Sequence, residues 1–242
     1  MFFGAVGDLH GDFDALNRVM ARHPEVAFWI CPGDLAHEDG TYPRPRAPLY
    51  WIKGNNEDFD FVAAQPPGAG TLPNLHYIPN GIPLQVQGLT LAGLGGTFAP
   101  TWYETPAALL PSHATKPRSG AGRLGPASEA AVAGRGAPAT KDDKRRHFVH
   151  EEVDACKNMH GVDVFLSHEA PRPFPLARVR DAGKTPINEV LAAMRPRLHV
   201  FGHHHVYRVA ERQRVPSIGL EKVGDSYLVF DGKTLAHQRL TI

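Results

Sequence analysis

Five short segments set a glycine or serine beside side chains that bind metals. In chain order they are Gly7-Asp8-Leu9-His10-Gly11, Gly33-Asp34, Gly54-Asn55-Asn56-Glu57, Ser167-His168-Glu169 and Gly202-His203-His204-His205. They supply the candidate ligands Asp8, His10, Asp34, Asn55, His168, His203 and His205. Two carboxylates, four imidazoles and one neutral amide suit a pair of divalent ions, with Mn, Fe, Zn, Ni and Co all compatible. Two adjacent ions hold both the attacking and the leaving oxygen of a displacement at phosphorus. The set therefore predicts hydrolysis of a phosphate ester.

Spacing adds detail. In extended chain, positions i and i+2 face the same way. Asp8 with His10, and His203 with His205, are each expected to grip an ion together, while His204 points elsewhere. Asp34, after a Pro-Gly turn, is placed to bridge both ions. Asn55 offers a carbonyl oxygen that limits the negative charge around them. Glu57 and Asp58 are read either as carboxylates that orient a ligand imidazole or as solvated turn residues.

The elements that must position these groups read as alternating strand and helix. Phe2–Val6, Val26–Ile30 and Pro48–Ile52 are apolar and strand-length, and each runs into a metal motif. Asp12 is expected to cap a helix with Phe13, Leu16, Val19 and Met20 on one face. Val149, Val153 and Cys156 form a second helical stripe. Thr185-Pro186 is expected to open a third helix, with the threonine as cap and the proline at the first position. Val162–Leu166 and Leu198–Phe201 are strands leading into His168 and Gly202. The tail reads as short strands with a hairpin turn at Asp231-Gly232. Ligand sites in α/β sheets gather beyond the carboxyl ends of the strands, where these motifs fall.

Composition narrows the class. The chain has 242 residues, 42% of them hydrophobic, and a net charge of +1, which argues against bulk nucleic-acid binding. Between Pro111 and Arg146, eight basic residues face three acidic ones. From Pro111 to Thr140 the chain is rich in Ala, Gly, Pro, Ser and Arg without periodicity. A single domain over 1–242 is expected, with a flexible basic insertion at about 104–146. Phe98, Trp102 and Tyr103, just before the charged stretch, are read either as stacking platforms for a base or as packing. Arg172 and Arg178 are read as a phosphate clamp or as surface residues. Cys31 and Cys156 do not read as a disulfide framework. No signal peptide or membrane span is expected, and a cytoplasmic setting fits.

Taken together, the motifs resemble those of the calcineurin-like metallophosphoesterases, whose pattern runs GDxHG, GDxx, GNH(D/E), an isolated His and GHxH. The resemblance spans residue 5 to about 207. Arg145-Arg146-His147-Phe148 with Asp163–Pro171 is most similar to the lariat-debranching branch, although Asp8 stands where eukaryotic debranching enzymes often carry cysteine. The resemblance implies an α/β fold of two mixed β-sheets packed together and flanked by helices, with the site at strand ends. It implies that Asp8, His10 and His205 hold one ion, that Asn55, His168 and His203 hold the other, and that Asp34 bridges them. It implies in-line attack by a hydroxide that the ions activate.

One departure bears on substrate. The histidine of GNH(D/E) is the usual candidate for protonating the leaving oxygen, and Asn56 stands in its place. Losing a general acid costs about 10²–10⁴-fold when the leaving group is poor. The departure therefore favours activated phosphodiesters of nucleotide or RNA type, with His204 or a group of the insertion as the replacement acid. The alternatives are a protein or nucleotide phosphomonoesterase, and a non-catalytic scaffold such as the retromer subunit of this fold.

Overall fold

The computed structural model describes residues 1–112, 131–132 and 141–242. Most of the expected insertion therefore lies outside the described residues. The elements in chain order are β1 (Phe2–Val6), α1 (Phe13–Arg22), β2 (Val26–Cys31), β3 (Tyr42–Pro43), β4 (Leu49–Trp51), α2 (Phe59–Ala63), β5 (Leu75–Tyr77), β6 (Leu84–Val86), β7 (Leu89–Leu94) and β8 (Thr97–Phe98). They continue with β9 (Ala131–Val132), β10 (His147–Phe148), α3 (His150–Lys157), β11 (Val164–Ser167), α4 (Thr185–Met194), β12 (Leu198–Phe201), β13 (Arg208–Arg212), β14 (Val215–Gly219), β15 (Ser226–Asp231) and β16 (His237–Thr241).

Two mixed six-stranded sheets carry the chain. One is ordered β16-β15-β1-β2-β4-β5 and the other β13-β14-β12-β11-β7-β6. Strand alternation decides what lies between them. Phe28 and Ile30 of β2 join Phe3, Leu91, Val164, Leu166, Leu198 and Val200 in one buried cluster shared by both sheets. Trp29 and Cys31, the alternate residues of β2, face the opposite way and pack with α1 and α2. On the far side of the second sheet, Ala92, Leu94 and Phe165 pack with α3 and α4. The expected architecture of two packed mixed sheets flanked by helices is what forms.

Local signals explain most element ends. Asp12 caps α1 by accepting from the Ala15 N–H. The αL residue Arg195 ends α4. Two expectations shift. Thr185 is the first helical residue rather than the cap, because Lys184 is held extended, pairing with Pro171 and donating its N–H to the Ala170 carbonyl. The loop between β15 and β16 is longer than a two-residue hairpin turn: the Asp231 carboxylate accepts from the Lys233 and Thr234 N–H groups and closes a wider turn. Both cysteines are free and buried, Cys31 in the cluster under α1 and Cys156 in the one under α3. No helix among the described residues is long and apolar enough to cross a membrane.

The alternation of β12 also sends His199 into the interior, between the hydroxyls of Ser167 at 2.8 Å and Ser217 at 3.2 Å. Burial pushes its imidazole down to about 3. The folded ring thus stays neutral while the unfolded chain takes up a proton below about pH 6.5. The ring's share of stability is complete above that pH and drains as pH falls toward about 3. His199→Gln is expected to flatten the fall in Tm between about pH 6.5 and pH 4.5. Melting curves that shift in parallel for the two proteins would contradict this.

Candidate metal centre

Every motif sits just past the C-terminal end of a strand. Asp8 and His10 follow β1, Asp34 follows β2, Asn55 follows β4, His168 follows β11 and His203–His205 follow β12. These strands are neighbours in their own sheets: β1, β2 and β4 run parallel, as do β11 and β12. Stacking the sheets then brings residues more than 150 positions apart into contact.

Two groups of donors result. His205 Nε2 lies 3.0 Å from Asp8 Oδ2 and 3.2 Å from His10 Nε2. His168 Nε2 lies 3.0 Å from Asn55 Oδ1 and 3.2 Å from His203 Nδ1. Asp34 stands between them, with Oδ2 3.8 Å from His10 Nε2 and Oδ1 3.6 Å from His168 Nε2. All seven residues singled out from the sequence are therefore in one place.

The partners differ from those that i, i+2 spacing predicts. His203 and His205 do not work as a pair: His203 turns to His168, and His205 to Asp8 and His10. The reason is backbone conformation. His203 and His205 have φ of 67° and 53°, in the left-handed region, so the i and i+2 side chains diverge. His10 (47°) and Asp34 (54°) share that conformation.

The chemistry of the donors fits divalent cations. The Pro32 carbonyl can only accept, so His168 Nδ1, 2.8 Å away, must carry a proton. The neutral ring then presents a lone pair at Nε2, which faces a carbonyl oxygen, a second ring nitrogen and a carboxylate. With Nε2 deprotonated, these lone pairs converge on a position that suits a divalent cation. Burial pulls the His168 imidazole down, but Asp34 and Asp8 outweigh it and raise it. Burial raises the Asp34 carboxyl, and His168 with the N–H groups at Asn56 outweighs that and lowers it.

Two motif glycines are required by close approach. A Cβ on Gly54 would collide with Asp34 Oδ1, and one on Gly202 with Asp8 Oδ1. Asp34 also accepts from the N–H groups of Asn55 and Asn56 and from Asn56 Nδ2, at 2.7–2.8 Å. Asn56 is exposed at the mouth of the site.

His204 takes a different direction. Its ring stacks on Phe174 with centroids 5.0 Å apart, and its Nε2 is buried, 3.9 Å from Glu169 Oε2. Burial, with Lys184 second, pushes this imidazole down to about 4. Glu169, His203 and His204 form a third convergent group, although Lys184 Nζ also lies 3.7 Å from Glu169 Oε2.

Several supporting residues escaped the sequence reading. Glu57 is not solvated: it is fully buried and accepts from the N–H groups of Leu35, Ala36 and Gly54 and from the Tyr42 hydroxyl. Burial, with Asp34 second, pushes its carboxyl up to about 8 against those hydrogen bonds. It ties two motif loops together rather than orienting an imidazole. Asp58 caps α2. Phe98 and Tyr103 pack on each other and on Phe148, which is the packing reading. Arg172 is engaged by Asp181, whereas Arg178 is exposed.

Paired sheets with a histidine and carboxylate cluster at their strand ends form a candidate divalent-metal centre. The sequence profile of the calcineurin-like phosphoesterases matches residues 1–207, and the chain belongs to that family. An uncharacterized protein of Haemophilus influenzae is 24% identical over 91% of this chain and 92% of its own length. Among solved structures, TT1561 of Thermus thermophilus shares the fold with a TM-score of 0.59 at 12% identity, covering 99% of this chain and 98% of that one. GAP50 of Plasmodium, described as an anchor in the inner membrane complex, gives 0.50 at 13% identity, covering 100% of this chain and 89% of that one.

Proposed function

We propose that the protein is a phosphodiesterase acting on nucleotide- or RNA-type esters with two divalent ions, and that Asp34 bridges them. The observation that carries the two-ion reading is Asp34 itself, within 4 Å of a ring nitrogen from each donor group. Asp8, His10 and His205 would hold one ion, and Asn55, His168 and His203 the other. Two bound ions supply charge neutralisation at phosphorus and an acidified water. The chain's part is to fix seven donors on rigid strand ends and to present Asn56 beside Asp34.

Asn56 supports the preference for diesters with good leaving groups. An amide donates a hydrogen bond to a phosphoryl oxygen but supplies no proton at neutral pH. His204 is the other acid candidate, but buried on the Phe174 stack, with its imidazole pushed down to about 4, it holds no imidazolium proton at neutral pH and would first have to turn out toward the ester. A single domain working in the cytoplasm completes the proposal.

The test is hydrolysis of bis-p-nitrophenyl phosphate beside p-nitrophenyl phosphate by Mn-loaded protein. Diester turnover exceeding monoester turnover is the expected result. Preferred monoester turnover would replace this reading with a phosphomonoesterase. Bound metal with no turnover of either would favour a scaffold.

A further inference from the structure

A cavity of about 380 Å³ opens beside the donor group of Asn55 and His203; Lys141 and Arg146 bring two cations to its wall, and Thr97, His147 and Glu169 complete the lining. The wall is built, not incidental. Arg145 and Arg146 are adjacent and have opposite fates. Arg145 is pinned by Asp143 at 2.6 Å and Asp60 at 2.7 Å. Among the described residues, the Arg146 guanidinium has no hydrogen bond or ion pair.

The backbone that carries Arg146 is held from the site side. Lys53, the residue before Gly54-Asn55, donates from Nζ to the carbonyls of Arg145 at 3.0 Å and His147 at 3.2 Å, one on each side of Arg146. β10 pairs with β8 immediately afterwards. At Gly96 a Cβ would lie 2.7 Å from the Arg146 carbonyl oxygen, so the strand fits only against glycine. His147 hydrogen-bonds Thr97 through Nδ1 at 3.0 Å. Its imidazole is pushed down to about 4, chiefly by burial and then by Arg146, Lys144 and Lys53. The cavity also holds one carboxylate, Glu169: Oε1 accepts from the Phe98 N–H at 3.1 Å, and Oε2, which has no hydrogen bond, has its charge offset by Lys184 Nζ at 3.7 Å.

Two cations, one of them a guanidinium without a partner among the described residues, beside the candidate metal centre match an anion that the reaction does not consume. We propose that this cavity is a subsite for a second phosphate of the substrate, held by Arg146 beside the scissile ester. This rests on the phosphodiesterase reading above and names its substrate class: esters that carry a further phosphate. Planar guanidinium geometry suits bidentate phosphate binding, and Lys53 is a positioning residue for it. The second phosphate comes either from the next position of a nucleotide chain, a sugar away, or from a directly linked polyphosphate.

Two measurements test this. The first compares kcat/KM for thymidine 5′-(p-nitrophenyl phosphate) with and without a 3′-phosphate. Wild-type protein is expected to prefer the 3′-phosphorylated ester, and Arg146→Ala to cut that preference by about 10–100-fold, the effect of one charged hydrogen bond. Arg146→Lys should keep part of it. A clear 3′-phosphate preference that Arg146→Ala leaves intact would overturn the subsite.

The second measures binding of pyrophosphate and phosphate to Mn-loaded protein by calorimetry, and it does not depend on turnover. Tighter pyrophosphate binding that Arg146→Ala abolishes supports the subsite with a directly linked phosphate. If only the 3′-phosphate preference responds, the sugar-spaced source is selected. No pyrophosphate advantage together with no 3′-phosphate preference refutes the proposal. Absence of all turnover, with the pyrophosphate advantage still dependent on Arg146, would discard the diesterase reading and keep the site.

Discussion

Asp34→Asn is expected to abolish phosphoesterase turnover while the protein still folds. Asp34 is buried and faces a ring nitrogen in each donor group. Asparagine leaves one neutral carbonyl oxygen where the carboxylate offers an anionic oxygen to each side, so both ions would be held more weakly. Ions at such a centre contribute several kcal/mol of charge stabilisation, and each 1.36 kcal/mol is tenfold in rate, so the loss should be on the order of 10³-fold. Asparagine is the replacement of choice because it keeps the volume and tolerates the left-handed backbone that position 34 adopts. The measurements are metal content and bis-p-nitrophenyl phosphate turnover, with circular dichroism to follow the fold. Full metal content and wild-type turnover would remove Asp34 from the centre.

Glu57→Gln should act through structure rather than chemistry. Each carboxylate oxygen receives a backbone N–H, from Leu35 and Gly54 on one side and Ala36 on the other. An amide must turn its NH₂ toward one of those donors, leaving a buried N–H without an acceptor. The cost is about 1–3 kcal/mol, which lowers Tm by roughly 2–4 °C per kcal/mol in a chain of this size. Because Glu57 joins the loops that hold Asp34 and Asn55, metal affinity should also fall by roughly 10–100-fold, as for other groups that orient ligands. A variant with unchanged Tm and unchanged metal affinity would refute this role.

How far the sequence could be read follows from where each signal resides. The strand-to-motif junctions at Val6, Cys31, Trp51, Ser167 and Phe201 were legible because apolar alternation and the motif residues are contiguous in the chain. The family pattern then supplied the two-sheet architecture. What escaped depends on contacts between distant residues or on backbone dihedrals. Lys53 meets Arg145 and His147 across more than 90 positions, and no local pattern announces it. Glu57 was ambiguous because its acceptor role is set by Leu35 and Ala36 on another loop. The partners of His203 and His205 were misassigned because period-two reasoning assumes extended chain, and here the chain coils left-handed. Thr185 looked like a cap until the pairing of Lys184 with Pro171 fixed where the helix begins.

That left-handed coiling has a consequence for how such a chain can change over generations. Four of the seven candidate ligands (His10, Asp34, His203 and His205) occupy this conformation, which costs a side chain with a Cβ roughly 1–2 kcal/mol. Glycine would relax the backbone at each of these positions and delete the donor. Stability and activity are therefore under opposed selection in this one patch of the molecule. A lineage released from catalysis would have a downhill path to a sturdier, inert protein of the same shape.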